Sequence, residues 1–186
     1  MIQRYIRDVP DFPKKGILFK DITPLLSHPG AFAESVRRLG GRVGRPDAVV
    51  AIESRGFLFG AGLSLHWQVP FVPARKFGKL PGRPVREVYS LEYGEDTLEL
   101  HADALKAGQS VVIVDDLLAT GGTAAATARL IEQLRARVTA CLFVVELRGL
   151  GGRSPRVLPR DQQDGAGVGE RRAAGGHEGS AGDIDF

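Results

Sequence analysis

The sequence predicts an α/β domain built on a central parallel sheet flanked by helices. Three observations carry that expectation. "DAVVAI" (Asp47 to Ile52) and "SVVIVD" (Ser110 to Asp115) are short, Val-rich and almost wholly apolar, the pattern of parallel strands covered on both faces. "GFLFGAGLSLHW" and "TAAATARLIEQLRA" read as helices, the second holding the strong helix formers Ala124, Ala125 and Ala126 and setting Leu130, Ile131 and Leu134 on one face. From about Pro46 to Leu147 the units alternate as strand, helix, strand, lid, strand, helix, strand, which right-handed crossovers turn into one sheet.

Outside that core the elements change character. "DFPKKGILFKDITPLL" carries two prolines and a mixed pattern, so an ordered loop and a short helix are expected there, apart from the sheet. "FGKLPGRPVREVYSLEYGEDTLEL" is long, charged and punctuated by Gly and Pro, which is lid composition. Beyond Arg153 the chain is rich in Gly and charge, poor in apolar residues and without period. Such a segment buries too little surface to offset its ordering entropy, and a disordered tail is expected over 153–186.

Composition narrows the function. A chain of 186 residues with 43% hydrophobic content suits one main domain with its own core. The single cysteine, Cys141, lies inside the apolar run "VTACLFVVEL" and reads as a small buried hydrophobe, with no internal disulfide to form. No apolar stretch approaches the ~20 residues that span a bilayer, and the start lacks a signal-peptide core, so a cytoplasmic protein without membrane contact is expected. The net charge of +3 comes without clustered Lys/Arg and interleaved aromatics, which argues against nucleic acid and suits a small anionic ligand.

The chemistry concentrates in "VVIVDDLLATGGT", Val111 to Thr123. Ligands of open parallel sheets sit beyond the carboxyl ends of the strands, where Asp115 and Asp116 are expected to fall. Two adjacent carboxylates repel and are tolerated where water, hydroxyl donors or a cation reach them. The following Ala119, Thr120, Gly121, Gly122 and Thr123 offer backbone amides and hydroxyls at a helix start, an anion cradle. Carboxylates for hydroxyls beside amides for a phosphate match a ribose 5-phosphate. No lysine follows the glycines as a Walker loop requires, and "GFLFGAG" lacks dinucleotide-site spacing.

That motif resembles the phosphoribosyl-diphosphate motif of the type I phosphoribosyltransferases. "DFPKKGILFKDITPLL", "ESRGFLFG", "ARKFGKLPG", "YSLEYG" and "VVELRGLGGR" follow in the order found in the adenine phosphoribosyltransferases, a likeness covering roughly Tyr5 to Arg153. The resemblance implies the type I fold over 1–152, with a small N-terminal hood at about 1–30 and a flexible lid at about 77–96. It implies transfer of 5-phosphoribosyl from phosphoribosyl diphosphate to adenine, giving AMP and pyrophosphate, with Mg2+ as cofactor and a homodimer as the assembly. Glu53, Ser54, Arg55 and Gly56, with Arg75, Lys76 and Lys79, are the implied pyrophosphate ligands, and a cis peptide is expected between Glu53 and Ser54 when ligand is bound. Glu92 is the implied acid/base for the purine proton and Tyr93 the residue closing over the reacting centre, with Arg55 beside them. Leu18, Phe19 and Lys20 are the implied base ligands. The family's last apolar strand has no counterpart in "SPRVLPRDQQDGAGVGERRAAGGHEGSAGDIDF", which reads either like translation in a shifted frame or as an authentic divergent tail, and weaker base binding or lower stability is expected. A transferase for hypoxanthine or guanine, or a sensor of the same fold, are the alternatives.

Overall fold

Three parallel strand pairings organise the molecule, and everything else is attached to them. The computed structural model describes residues 2–90 and 94–153, apart from the side chain of Arg148. The chain opens with a hairpin, β1 (Arg7–Pro10) against β2 (Leu18–Asp21), antiparallel with Arg7 opposite Asp21 and Pro10 opposite Leu18. The short helix α1 (Thr23–Leu26) and the amphipathic α2 (Pro29–Gly40) follow, the latter capped by His28, whose Nδ1 accepts from the Ala31 amide at 3.1 Å.

The main body then runs β3 (Ala48–Ile52), α3 (Gly56–Trp67), β4 (Phe71–Lys76), β5 (Pro84–Ser90), β6 (Glu95–His101), β7 (Ser110–Leu118), α4 (Gly122–Gln133) and β8 (Arg137–Glu146). Its six strands lie in the order β5-β6-β4-β3-β7-β8. β4, β3, β7 and β8 are parallel, and β6 and β5 continue the sheet antiparallel.

Alternating side chains fill two cores. Val49, Ala51, Val112 and Val114 meet Phe59, Leu63 and Trp67 of α3 on one face. Val50, Ile52, Val111 and Ile113 meet Ala126, Leu130 and Ile131 of α4 on the other. Both faces being covered explains why the strands read as unbroken apolar runs. On α3, Gly60 permits the closest approach: a Cβ there would stand 2.4 Å from that of Ala51.

One expectation needs correction: within the segment expected as a loop ahead of α1, residues 18–21 form β2, paired with β1 in a hairpin apart from the main sheet. The stretch 77–100 that reads as lid holds β5 and most of its partner β6, which extend the sheet's edge. Proline at the first position of an edge strand costs no ladder bond, so Pro84 did not prevent pairing. Leu98, Glu99 and Leu100 of β6 are fully buried, a run whose charged member hid the strand.

Candidate functional site

Near the end of β7 the buried Asp116 follows the half-buried Asp115. β7 does not stop at Asp115 as the motif suggested, but continues to Leu118, with Asp115 opposite Phe143 and Leu118 opposite Glu146. The long partner β8 keeps offering backbone groups, so pairing persists past the charges. The acid pair therefore sits within the strand's end rather than beyond it, where pairing with β3 has ended at Val114 and pairing with β8 continues.

Repulsion between the carboxylates is relieved by the neighbouring strand-to-helix turn. The first turn of α3 lies against them: a Cβ on Gly56 would stand 2.9 Å from Asp115 Oδ1 and 2.8 Å from the Val114 carbonyl. Only glycine lets the helix start come this near, and its N-terminal partial charge favours the anions. Arg55 Nε lies 2.8 Å from Asp116 Oδ2, an ion pair rather than a well-aligned hydrogen bond, and that buried oxygen accepts no hydrogen bond. Asp115 Oδ1 accepts from the Asp116 amide at 2.8 Å. Burial, and then the charge of Asp116, push the Asp115 carboxyl up to about 8. Burial likewise raises Asp116 against the opposing pull of Arg55. Both shifts oppose full ionisation of the pair.

After Leu118 the chain turns through Ala119, Thr120 and Gly121. Gly121 has φ of 81°, a left-handed conformation that suits glycine, and it starts α4 without any side-chain cap. The first amides of α4 therefore have no partner from the cap side chain and face an anion site. The chain after β8 supports this turn from behind. Gly152 is buried where a Cβ would stand 2.3 Å from the Ala119 carbonyl, and the Leu147 amide donates to Leu118 at 2.9 Å.

A cavity of about 330 Å³ joins these parts. Its wall includes Glu53, Ser54, Arg55, Lys76, Asp115 and Asp116, and every residue from Leu117 to Ala124. Ile52, Tyr89 and Phe143 complete it, and none of the three was among the sequence candidates. The Glu53–Ser54 peptide is cis, where the resemblance places one. Glu53 ties down the end of β4: its carboxylate accepts from Arg75 at 3.1 and 3.2 Å and from the Lys76 amide at 2.9 Å. Those bonds, the Arg75 contact foremost, hold the Glu53 carboxyl below its ordinary range. Arg75 and Lys76 prove to be the last residues of β4, not a segment after it. Arg75, Lys79 and Gly56 are not part of the cavity wall.

A second cavity, of about 570 Å³, opens beneath the hairpin, lined by Val9, Phe12, Phe19, Asp21, Ile22, Thr23, Leu26 and Arg55. Phe12 meets the edge of Phe19 with ring centroids 5.2 Å apart. The side chains of Leu18 and Lys20 do not line it. Leu18 is exposed, and Lys20 is buried in a 2.7 Å ion pair with Asp8. Arg55 belongs to both cavities, pairing with Asp116 in the first and standing 5.3 Å from the Phe19 ring centre in the second. A largely apolar aromatic slot thus opens beside a polar cavity, and Arg55 lines both.

The phosphoribosyl transferase domain model matches residues 22–161. An adenine phosphoribosyltransferase of Carboxydothermus hydrogenoformans is 56% identical over 154 residues, covering 82% of this chain and 91% of that one. The chain belongs to the adenine phosphoribosyltransferase family. A Synechococcus adenine phosphoribosyltransferase (strain CC9605) is 54% identical over 163 residues, 87% of this chain and 94% of its own. The family's crystal structure from Thermoanaerobacter pseudethanolicus superposes with a TM-score of 0.79 at 52% identity, covering 82% of this chain and 90% of that one. That of Saccharomyces cerevisiae, complexed with adenine and an imino-altritol bisphosphate, does so with 0.75 at 43%, over 82% and 90% of the two chains. Glu92 and Tyr93, assigned to the family's catalytic lid, lie outside the described residues, as does the tail from 154.

Proposed function

We infer that the chain transfers the 5-phosphoribosyl group of phosphoribosyl diphosphate to adenine, releasing AMP and pyrophosphate. The observation that carries this reading is the meeting of two cavities at Arg55, one with an acid pair and a phosphate cradle, the other aromatic. The 5-phosphate takes the open amides of Gly121 to Thr123 and the Thr120 and Thr123 hydroxyls, and Asp115 and Asp116 take the ribose hydroxyls. Arg55 and Lys76 at the wall, backed by Arg75 and Lys79, face the diphosphate. Phe19 stacks on the purine, and the backbone of Leu18 and Lys20 reads its edge, where an exocyclic amine donates and an oxo group would accept.

Displacement at the anomeric carbon develops oxocarbenium character while negative charge gathers on the leaving group. Fixed groups on both sides are what such a transition state needs. The carboxylates steady the sugar as it becomes positive, and the cations receive the diphosphate as it departs. Glu92 handles the purine proton, and Tyr93 helps exclude water that would otherwise hydrolyse the sugar.

Magnesium belongs to this reading. Among the described residues no three of His, Cys, Asp and Glu gather into a cage, so the donor set fits an ion carried on diphosphate oxygens and retaining waters. When bound, the ion would screen the leaving group's charge, and Glu53, Asp115 and Asp116 are the carboxylates of the cavity wall that its waters could meet. The working form is a cytoplasmic homodimer, and no helix among the described residues is long and apolar enough to cross a membrane. The hypoxanthine/guanine and sensor alternatives are not favoured by relatives of this identity.

The test is direct: incubate the protein with magnesium, phosphoribosyl diphosphate and adenine, hypoxanthine or guanine in turn, and separate the nucleotides. AMP from the adenine arm is expected. IMP or GMP formed in preference would overturn the base assignment, and no nucleotide from any base would overturn the reaction.

A further inference from the structure

We propose that Asp96 is a positioning residue for recognition of the sugar diphosphate, holding Lys76 and Tyr89 against the cavity wall from behind. The proposal rests on the function inferred above and assigns it a residue outside the cavity, since Asp96 is not part of the wall.

Asp96 stands on β6, directly opposite Tyr89 on β5. Its Oδ2 accepts from Lys76 Nζ, at the end of β4, and from the Tyr89 hydroxyl at 3.2 Å. Its Oδ1 accepts from the Thr97 amide at 2.8 Å. One carboxylate thus draws together the ends of three strands. Burial alone would push its carboxyl up, but the bonds from Lys76 and the Thr97 amide outweigh burial and hold it below its ordinary range.

Both partners of Asp96 line the cavity, on different sides of the substrate inferred for it. Lys76 follows Arg75 and shares Glu53 with it, which puts it on the diphosphate side. Tyr89 is buried, 6% exposed, and its hydroxyl also engages the Thr123 hydroxyl of the phosphate turn. Gly122 fits against the same ring, where a Cβ would stand 3.8 Å from Tyr89 Cδ2. A free lysine side chain samples many rotamers, and holding it in one place lowers the ordering cost when an anion arrives. Asp96 does this for Lys76 while fixing, through Tyr89, the position of Thr123. A staple that merely joined β5 to β6 would need neither Lys76 nor a hydroxyl reaching to α4.

The experiment compares Asp96→Ala, Asp96→Asn and Tyr89→Phe with the unaltered protein by steady-state kinetics in both substrates and by thermal melting. Asp96→Ala is expected to raise KM for phosphoribosyl diphosphate roughly ten-fold while KM for adenine stays within about two-fold. Asp96→Asn, whose amide oxygen still accepts, is expected to recover most of that loss. Tyr89→Phe is expected to show a smaller rise in the same constant. An active wild type whose Asp96→Ala variant keeps its KM, or loses melting temperature and both KM values together, would overturn the inference alone. A wild type that makes no AMP removes the functional reading and this inference with it.

Discussion

The polar cavity rests on β3 and β7, whose Val49, Val50 and Val111 to Val114 are wholly buried between two helix layers. The aromatic cavity rests on two four-residue strands, with Phe12 of their loop half exposed and Leu18 of β2 at 43% exposure. A two-stranded hairpin is marginal by itself; the Lys20–Asp8 pair joins β1 to β2, and Arg55 against Phe19 ties the hairpin to the main body. The first cavity is a property of the sheet, and the second is a property of what docks on it. Arg55 makes the two interdependent, because the cation that balances Asp116 also borders Phe19.

The largest effect should come from breaking the sheet side of this comparison. Asp116→Ala removes the buried partner of Arg55 and one of the two ribose carboxylates, and turnover should fall by about 10² to 10³, as when one preorganised charge is lost from a site. Initial rates at saturating adenine check this, and an unchanged rate would take Asp116 out of the reaction. Phe19→Ala breaks the other side. Loss of stacking should raise KM for adenine by about ten-fold or more, with the sugar-diphosphate constant little altered; equal changes in both constants would mean that the cavities are not separable.

Gly60→Ala sharpens the contrast by disturbing the scaffold under Arg55. With the new methyl 2.4 Å from Ala51 Cβ, α3 must shift, and a loss of about 1 to 3 kcal/mol is expected in denaturant melts. A variant as stable as the parent would show that α3 is free to move away from β3.

The remaining test is of pH dependence. The Asp115 carboxyl is raised to about 8 in the folded state, so between its unfolded value near 4 and that point the folded chain holds a proton the unfolded chain has lost. Stability without substrate should therefore be fully present below about pH 4, decline as pH rises, and level off above about pH 8. Asp115→Asn should flatten that slope, and parallel slopes in melts from pH 5 to 8 would assign the proton elsewhere.

How much was legible follows the same division. The Val-rich runs, the alanine-rich helix and the Asp-Asp-to-Gly-Gly spacing all express contacts between residues close in sequence, and each lies where its pattern put it. The strand's extension through Asp116 to Leu118 was not legible, because it is decided by β8, some 30 residues further on. Tyr89 and Asp96 were hidden in a charged, Pro-punctuated stretch whose composition reads as lid, although pairing across the sheet edge makes it strand. Phe143 reads as ordinary core, and only its place opposite Asp115 brings it to the cavity. The expected roles of Glu92 and Tyr93 rest on the resemblance.

By itself the sequence determined the alternation of strands and helices, the acid pair and the phosphate turn, since periodicity and turn chemistry act over a few residues. Tertiary structure alone decided that Arg55 stands between two cavities, that Gly56 must be small because Asp115 lies against it, and that one carboxylate at Asp96 gathers three strands. Those outcomes depend on approach between segments distant in the chain, and such distances come from packing, which no local pattern encodes.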